Sequence, residues 1–261
     1  MPPIIDSLPI LLVYALIVVI ALGATEIGFQ VGRYWTRRTG RKQESSPSSG
    51  IIAATLGLLA FILAFTTGIA LNRFDNRRAL VLEEANAIGT TYLRAGYLDE
   101  PVDSESRSLL AEYVDVRLQA VVPDQLEAAI QRSEEIQGQL WTMAETLAKA
   151  QPDSDVLAIY IESLNQMIDV HTKRLVAVEA SRLPSPLWAE ILLMTLLVMF
   201  LVGVGNGFDG RRNLLALTIL ALVFGAVILI IVDLDRTQGG FLKVSQQALI
   251  DLQRQLSGLQ P

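Results

Sequence analysis

The chain has 261 residues, 51% of them hydrophobic and 18% charged, and its mean hydropathy of +0.42 is too high for an ordinary soluble domain. A net charge of −6 argues against a nucleic-acid-binding protein, which takes a basic stripe. The absence of cysteine and the presence of a single histidine remove disulfides, thiol chemistry, the usual zinc sites and His-pair metal sites. Arginine outnumbers lysine 17 to 4, a composition that hints at a GC-rich bacterial genome.

Four stretches are long and apolar enough to cross a bilayer, which takes roughly 20 residues at about 1.5 Å each. Residues 8–31 carry one charge, Glu26; residues 51–71 carry none; residues 187–208 carry Glu190 near their start; residues 214–232 are uncharged. The first stretch reads as a retained helix rather than a cleaved leader, because its basic cluster follows the apolar run instead of preceding it. The first and second stretches are joined by residues 33–50, a basic loop rich in Ser, Gly and Pro. The third and fourth are joined by a tight turn over residues 209–213. The chain therefore divides into residues 1–71, a first membrane pair; 72–185, a polar region; 186–232, a second membrane pair; and 233–261, a returning tail.

Residues 72–185 hold 11 Lys/Arg against 19 Asp/Glu, a local balance of −8. They read as helices throughout. Residues 72–98 continue the second membrane stretch with no Pro or turn cluster between them. A helix over residues 103–122 stops before Pro123. Asp124, with Glu127 three residues on, has the form of a capping box for a helix running to about Ala150. Asp153 or Ser154 starts the last helix of the region. In that helix Leu157, Ile161, Leu164, Ile168, His171, Leu175 and Val178 alternate four- and three-residue steps, a heptad seam. His171 on such a seam fits a hydrogen-bonded core residue; the alternative is a pH-sensitive group. In the tail, residues 244–256 place Val244, Ala248, Leu252 and Leu256 on one face. Its opposite face lacks the basic excess of a membrane-surface helix, so this helix docks on the polar region. The fold expected is all-α, with four transmembrane helices and a helical polar domain between the second and third.

A resemblance emerges at the second membrane stretch. Phe61 and Phe65 lie four apart, and Asn72-Arg73-Phe74-Asp75-Asn76 follows shortly after. This resembles the pore helix of bestrophin channels. The runs EEANAIGTTYLRAGYL (83–98) and DLDR (233–236) with the following Gly-Gly and Val-Ser resemble the bacterial bestrophin-like domain family. The resemblance implies a pentameric ion channel lined by the second helices, with Phe61 and Phe65 as an apolar neck. Gly57, one turn earlier, stands where bestrophins place a bulky residue, which implies a neck one ring shorter. Such a neck gates by dewetting. The Pro-Phe-Gly segment and the acidic run that follow the last membrane helix of animal bestrophins are reduced here to Asp233, Asp235 and Gly239, so no calcium clasp is expected. Asn72 and Arg73 would stand at the pore mouth or helix end.

Each of these features also has a plainer reading. A phenylalanine on a membrane helix commonly touches lipid or a neighbouring helix. Ala60, Ala64 and Gly68 form a small-residue row suited to close helix packing. Glu26 is either a ring of charge at a pore mouth or an interfacial carboxylate paired with Arg33 or another helix, since an unpaired carboxylate at mid-bilayer is costly. The glycines of 203–207 end a membrane helix with no strand before them and do not form a dinucleotide loop. Asp233 and Asp235 suit caps or salt bridges better than a metal. No catalytic constellation and no cofactor motif stands out. Two function classes follow. One is a homo-oligomeric ion channel in a cell membrane, with lipid, ions and copies of itself as partners. The other is a membrane-anchored sensory or scaffold module acting through a partner protein. The basic first loop argues by the positive-inside rule for a polar domain outside, whereas the bestrophin arrangement implies a cytoplasmic one.

Overall fold

The computed structural model describes residues 8–39, 48–180, 182–210, 212–236 and 240–259. Among these, eight α-helices follow in chain order: α1 (Ile10–Thr39), α2 (Ser48–Ala95), α3 (Val102–Gln119), α4 (Leu126–Ala150), α5 (Asp155–Ala180), α6 (Ser185–Asp209), α7 (Leu214–Asp235) and α8 (Gln247–Leu259). A short 3-10 turn at Pro123–Gln125 precedes α4, and the described residues contain no strand. The chain is all-α, and α1, α2, α6 and α7 are each long and apolar enough to span a membrane.

Several helix ends differ from the sequence reading. Helix α1 runs on to Thr39, so Arg37 and Arg38 sit in its last turn, where positive charge complements the helix dipole. Arg33 also lies on this helix and residues 48–50 open α2, whereas residues 40–47 of the basic loop, with Arg41 and Lys42, lie outside the described residues, as does Gly239. Helix α2 is one uninterrupted helix of 48 residues, as the lack of Pro or turn clusters across residues 71–75 predicts. The expected capping box at Asp124 and Glu127 does not form. Pro123 opens a 3-10 turn, and α4 begins only at Leu126 with Gln125 at its cap position and no side-chain cap bond. Ser154 does cap α5, its Oγ accepting from Leu157 N at 3.3 Å. Helix α8 begins at Gln247 rather than Val244.

The chain forms two compact units. The first comprises Met1–Phe74 and Arg182–Lys243. Its core gathers Val13 of α1, Leu59 and Leu63 of α2, Trp188 and Ile191 of α6, and Ile228 and Ile231 of α7. Helices α1 and α6 meet at backbone distance. A Cβ added to Gly28 or Gly32 would strike the backbone of Phe200 or Val204, and one added to Gly203 or Gly207 would strike that of Thr25 or Phe29. Small residues at four-residue spacing permit such approach, and close packing is what holds helices together where lipid offers no hydrophobic drive. The glycines of 203–207 thus serve packing. The Ala60-Ala64-Gly68 row has no such role within the chain: Ala60, Ala64 and Gly68 are exposed and nothing lies near a Cβ built on Gly68. Gly210 ends α6 at φ 66, a left-handed cap that favours glycine, and Asn213 caps α7 by accepting from Ala216 N.

The second unit comprises Asp75–Ser181 and Val244–Pro261. Its core joins Ile88 and Tyr92 of α2, Leu110, Tyr113 and Val114 of α3, Ile136 and Leu140 of α4, Leu164 and Met167 of α5, and Leu249, Leu252 and Leu256 of α8. The seam on α5 is shifted from the expected one. Leu157, Leu164 and His171 are buried, but Ile161, Ile168 and Leu175 are half-buried and Val178 is exposed. Tyr160, Ser163, Met167 and Val170 take the deep positions instead. A helix held by neighbours on two sides buries a stripe wider than a two-stranded seam.

Candidate functional site

Helix α2 carries an open row. Gly57, Phe61, Ala64, Phe65, Gly68 and Asn72 follow in short helical steps, which places them on one helix face, and all are exposed. Phe61 and Phe65 leave 68% and 65% of their surface uncovered. No atom lies within 4 Å of a Cβ built on Gly57. The opposite face is the packed one, with Leu59, Leu63 and Ala70 in the core and the Thr66 hydroxyl donating to the Ile62 carbonyl at 2.8 Å. The same open face continues along α2 as Asp75, Ala79, Leu82, Asn86, Thr90 and Leu93, again exposed, and there it mixes polar with apolar side chains.

The other residues singled out in the sequence are committed to partners. Arg73 lies off the open face, half-buried, and its Nη1 donates to the carbonyl of Arg182. Glu26 is paired, not with Arg33, but with Arg212 in the connection between α6 and α7, at 2.8 Å. Gln30 Nε2 donates to the same carboxylate at 3.1 Å, and the Arg212 guanidinium sits 4.5 Å over the Phe29 ring. Asp233 and Asp235 act as hydrogen-bond acceptors. Asp233 receives Phe241 N and Leu242 N at 2.9 and 3.0 Å. Asp235 receives Leu183 N at 2.6 Å and Trp188 Nε1 at 3.3 Å. Arg236 Nη2 donates to the Leu8 carbonyl at 2.9 Å. Among the described residues no group of His, Asp or Glu side chains has the arrangement of a metal site.

His171 belongs to a buried polar cluster that the sequence did not reveal. It is 2% exposed, with Tyr113, Arg117 and Glu84 at 0%, 3% and 0%. Gln137 Nε2 donates to the Tyr113 oxygen at 3.0 Å, and that oxygen lies within hydrogen-bond distance of His171 Nδ1, 3.1 Å away. Where the tyrosine O–H donates to Nδ1, the neutral imidazole carries its proton on Nε2. Burial, and then the charge of Arg117, hold its pKa down at about 4. The Glu84 carboxylate accepts from Arg117 Nε at 2.8 Å and from Arg174; burial lowers the pKa of both arginines, that of Arg174 to about 10. Arg174 Nη2 also reaches Gln246, just ahead of α8. Three helices of this unit, α2, α3 and α5, thus meet on one carboxylate. Sequence periodicity misses the cluster because it treats Glu84, Arg117 and Arg174 as surface charges. The available signal was Arg117 in an apolar stretch of α3, between Val116 and Leu118.

The sequence pattern of the Bestrophin-like domain family matches residues 19–249. No curated protein sequence matches the chain. Two crystal structures of a bacterial bestrophin homologue from Klebsiella pneumoniae are similar in fold. A point variant is 15% identical over 96% of this chain and 98% of its own, with a TM-score of 0.66. A second is 16% identical over 97% and 100%, also at 0.66. A further crystal structure, of a membrane protein, is 14% identical over 97% and 99%, at 0.67.

Proposed function

The chain belongs to the Bestrophin-like domain family, and from that footing we propose that it is the subunit of an oligomeric ion channel whose pore is lined by α2. The integral membrane character of the chain, with four apolar helices, is the setting for this reading. One observation carries it: the open face of α2. Lipid alone is sufficient cover for Phe61 and Phe65 on a membrane helix. It is not sufficient for Leu82 and Leu93 on the same helix, or for Tyr97 just past its end, which are exposed beyond the uncharged stretch. Large apolar side chains clustered on a surface outside lipid mark a protein contact, and copies of the same chain around an axis along α2 supply it. Asp75, Asn86 and Thr90 on that face suit the wetter, ion-facing part of such an axis.

In that arrangement Phe61 and Phe65 form the neck, and Gly57 leaves it open one turn earlier. A narrow apolar ring cannot replace an ion's hydration shell, so it conducts only when wetted. Asn72 stands at the end of the neck. Arg73 and Glu26, tied to Arg182 and Arg212, brace helix ends rather than ring the pore. The family resemblance favours five copies and a cytoplasmic helical unit. The acidic balance of residues 72–185 enriches cations near the path and favours cation passage. Native mass spectrometry of the full chain in mild detergent tests the assembly. Five copies are expected, and a monomer at every detergent and protein concentration would favour the reading as a membrane-anchored module with a separate partner.

A further inference from the structure

The polar cluster of the helical unit is electrically and chemically incomplete. Arg117 and Arg174 share one carboxylate, Glu84, which leaves one positive charge in excess. Nothing else in the cluster balances it. Tyr113 is kept neutral by burial, which raises its pKa, and the neighbouring Glu83 is engaged with Lys173 at 3.1 Å nearer the surface. Two donors also lack an acceptor: Arg117 Nη1 and His171 Nε2 are buried with no hydrogen-bond partner. In the tautomer that accepts the Tyr113 O–H at Nδ1, that His171 nitrogen carries a proton and both orphaned atoms are donors. A buried donor without an acceptor is costly, and a buried unbalanced charge more so.

We propose that the helical unit binds one halide-sized monovalent anion at Arg117 of α3 and His171 of α5. The anion accepts from Arg117 Nη1 and His171 Nε2 and neutralises the charge that Glu84 leaves over. A water molecule accepts the same bonds but leaves the charge. Charge-assisted bonds of this kind are stronger than neutral ones, which is the preference for an anion over water. The site lies in the helical unit and uses none of the residues on the open α2 face, so it does not depend on ion conduction.

Bromide is the probe. Thermal unfolding of the full chain in detergent is followed with rising sodium bromide against sodium gluconate at matched ionic strength, since a ligand of the folded state raises the melting temperature by mass action. Bromide is expected to raise it. His171→Phe, which removes one donor, and Arg117→Lys, which keeps the charge but removes the guanidinium fork, each weaken the apparent bromide affinity by about tenfold, one such hydrogen bond. Crystals grown in bromide should show an anomalous peak in contact with Arg117 Nη1 and His171 Nε2, and this readout decides if the variants fail to fold. Absence of that peak with no bromide-dependent stabilisation overturns the proposal in favour of water. Equal stabilisation of wild type and both variants, with the peak elsewhere, overturns it in favour of another site.

Discussion

Glu84 is the one carboxylate that Arg117 and Arg174 share. Removing one partner of a buried ion pair leaves the other charge uncompensated and costs about 3–5 kcal/mol, so Glu84→Gln should destabilise the folded chain by that order. A loss below about 1 kcal/mol, the scale of an exposed pair, in unfolding followed by circular dichroism would show that Arg117 and Arg174 find other acceptors. His171 makes a second prediction, in pH. Its pKa in the folded chain is about 4 against an ordinary 6.5, so the unfolded chain binds the extra proton between those values. Its contribution is therefore complete above about pH 6.5 and falls as the pH drops towards 4, by at most about 3 kcal/mol. His171→Leu should flatten that part of the stability curve. It should also cost about 1–3 kcal/mol at neutral pH, because the buried Tyr113 hydroxyl loses a hydrogen-bond partner. An unchanged curve in the variant would place the titration on another group. The plain sequence reading of His171 as a seam residue omits Tyr113 and Gln137, which reach it from α3 and α4 and are invisible to periodicity on α5 alone.

At the scale of elements, the pairing of α1 with α6 rests on glycines rather than on large side chains. Gly203→Val should break it, since the added atoms meet the backbone of Thr25 and Phe29 and no side chain is there to move aside. Gly23→Ala on the same helix pair is the control: it is open on every side, and alanine is the better helix former by up to ~1 kcal/mol. Unfolding in detergent should separate the two variants clearly, and equal stability would mean that α1 and α6 sit further apart. This contact shows where the sequence was readable and where it was not. Length and hydropathy identify the four long helices, and the missing breakers after Leu71 identify α2 as one piece. The choice between two small-residue rows, Ala60-Ala64-Gly68 and Gly28-Gly32 with Gly203-Gly207, needs the partner helix, because both rows have the same spacing. The seam of α5 slid for a related reason: the heptad template selected Ile161 and Ile168, whereas contact from several sides buried Tyr160 and Met167.

At the scale of the whole molecule, orientation and conduction are the open consequences of the proposed channel. The chain has no cysteine, so a single Glu134→Cys on the exposed side of α4 reports its own compartment. With the helical unit cytoplasmic, an impermeant maleimide labels this position only after cells are permeabilised; labelling of intact cells would reverse the orientation and restore the positive-inside reading. Conduction tests the central claim, that the open face of α2 controls an ion path. Phe65→Ala removes one ring of the neck from every copy at once, which widens it and favours wetting. The direct measurement is flux through wild type and Phe65→Ala reconstituted in liposomes under potassium and chloride gradients. The account predicts a larger or constitutive flux in the variant, carried chiefly by potassium. The same flux in both proteins would return Phe65 to a lipid contact, and no flux in either, at confirmed folding and insertion, would contradict the channel itself.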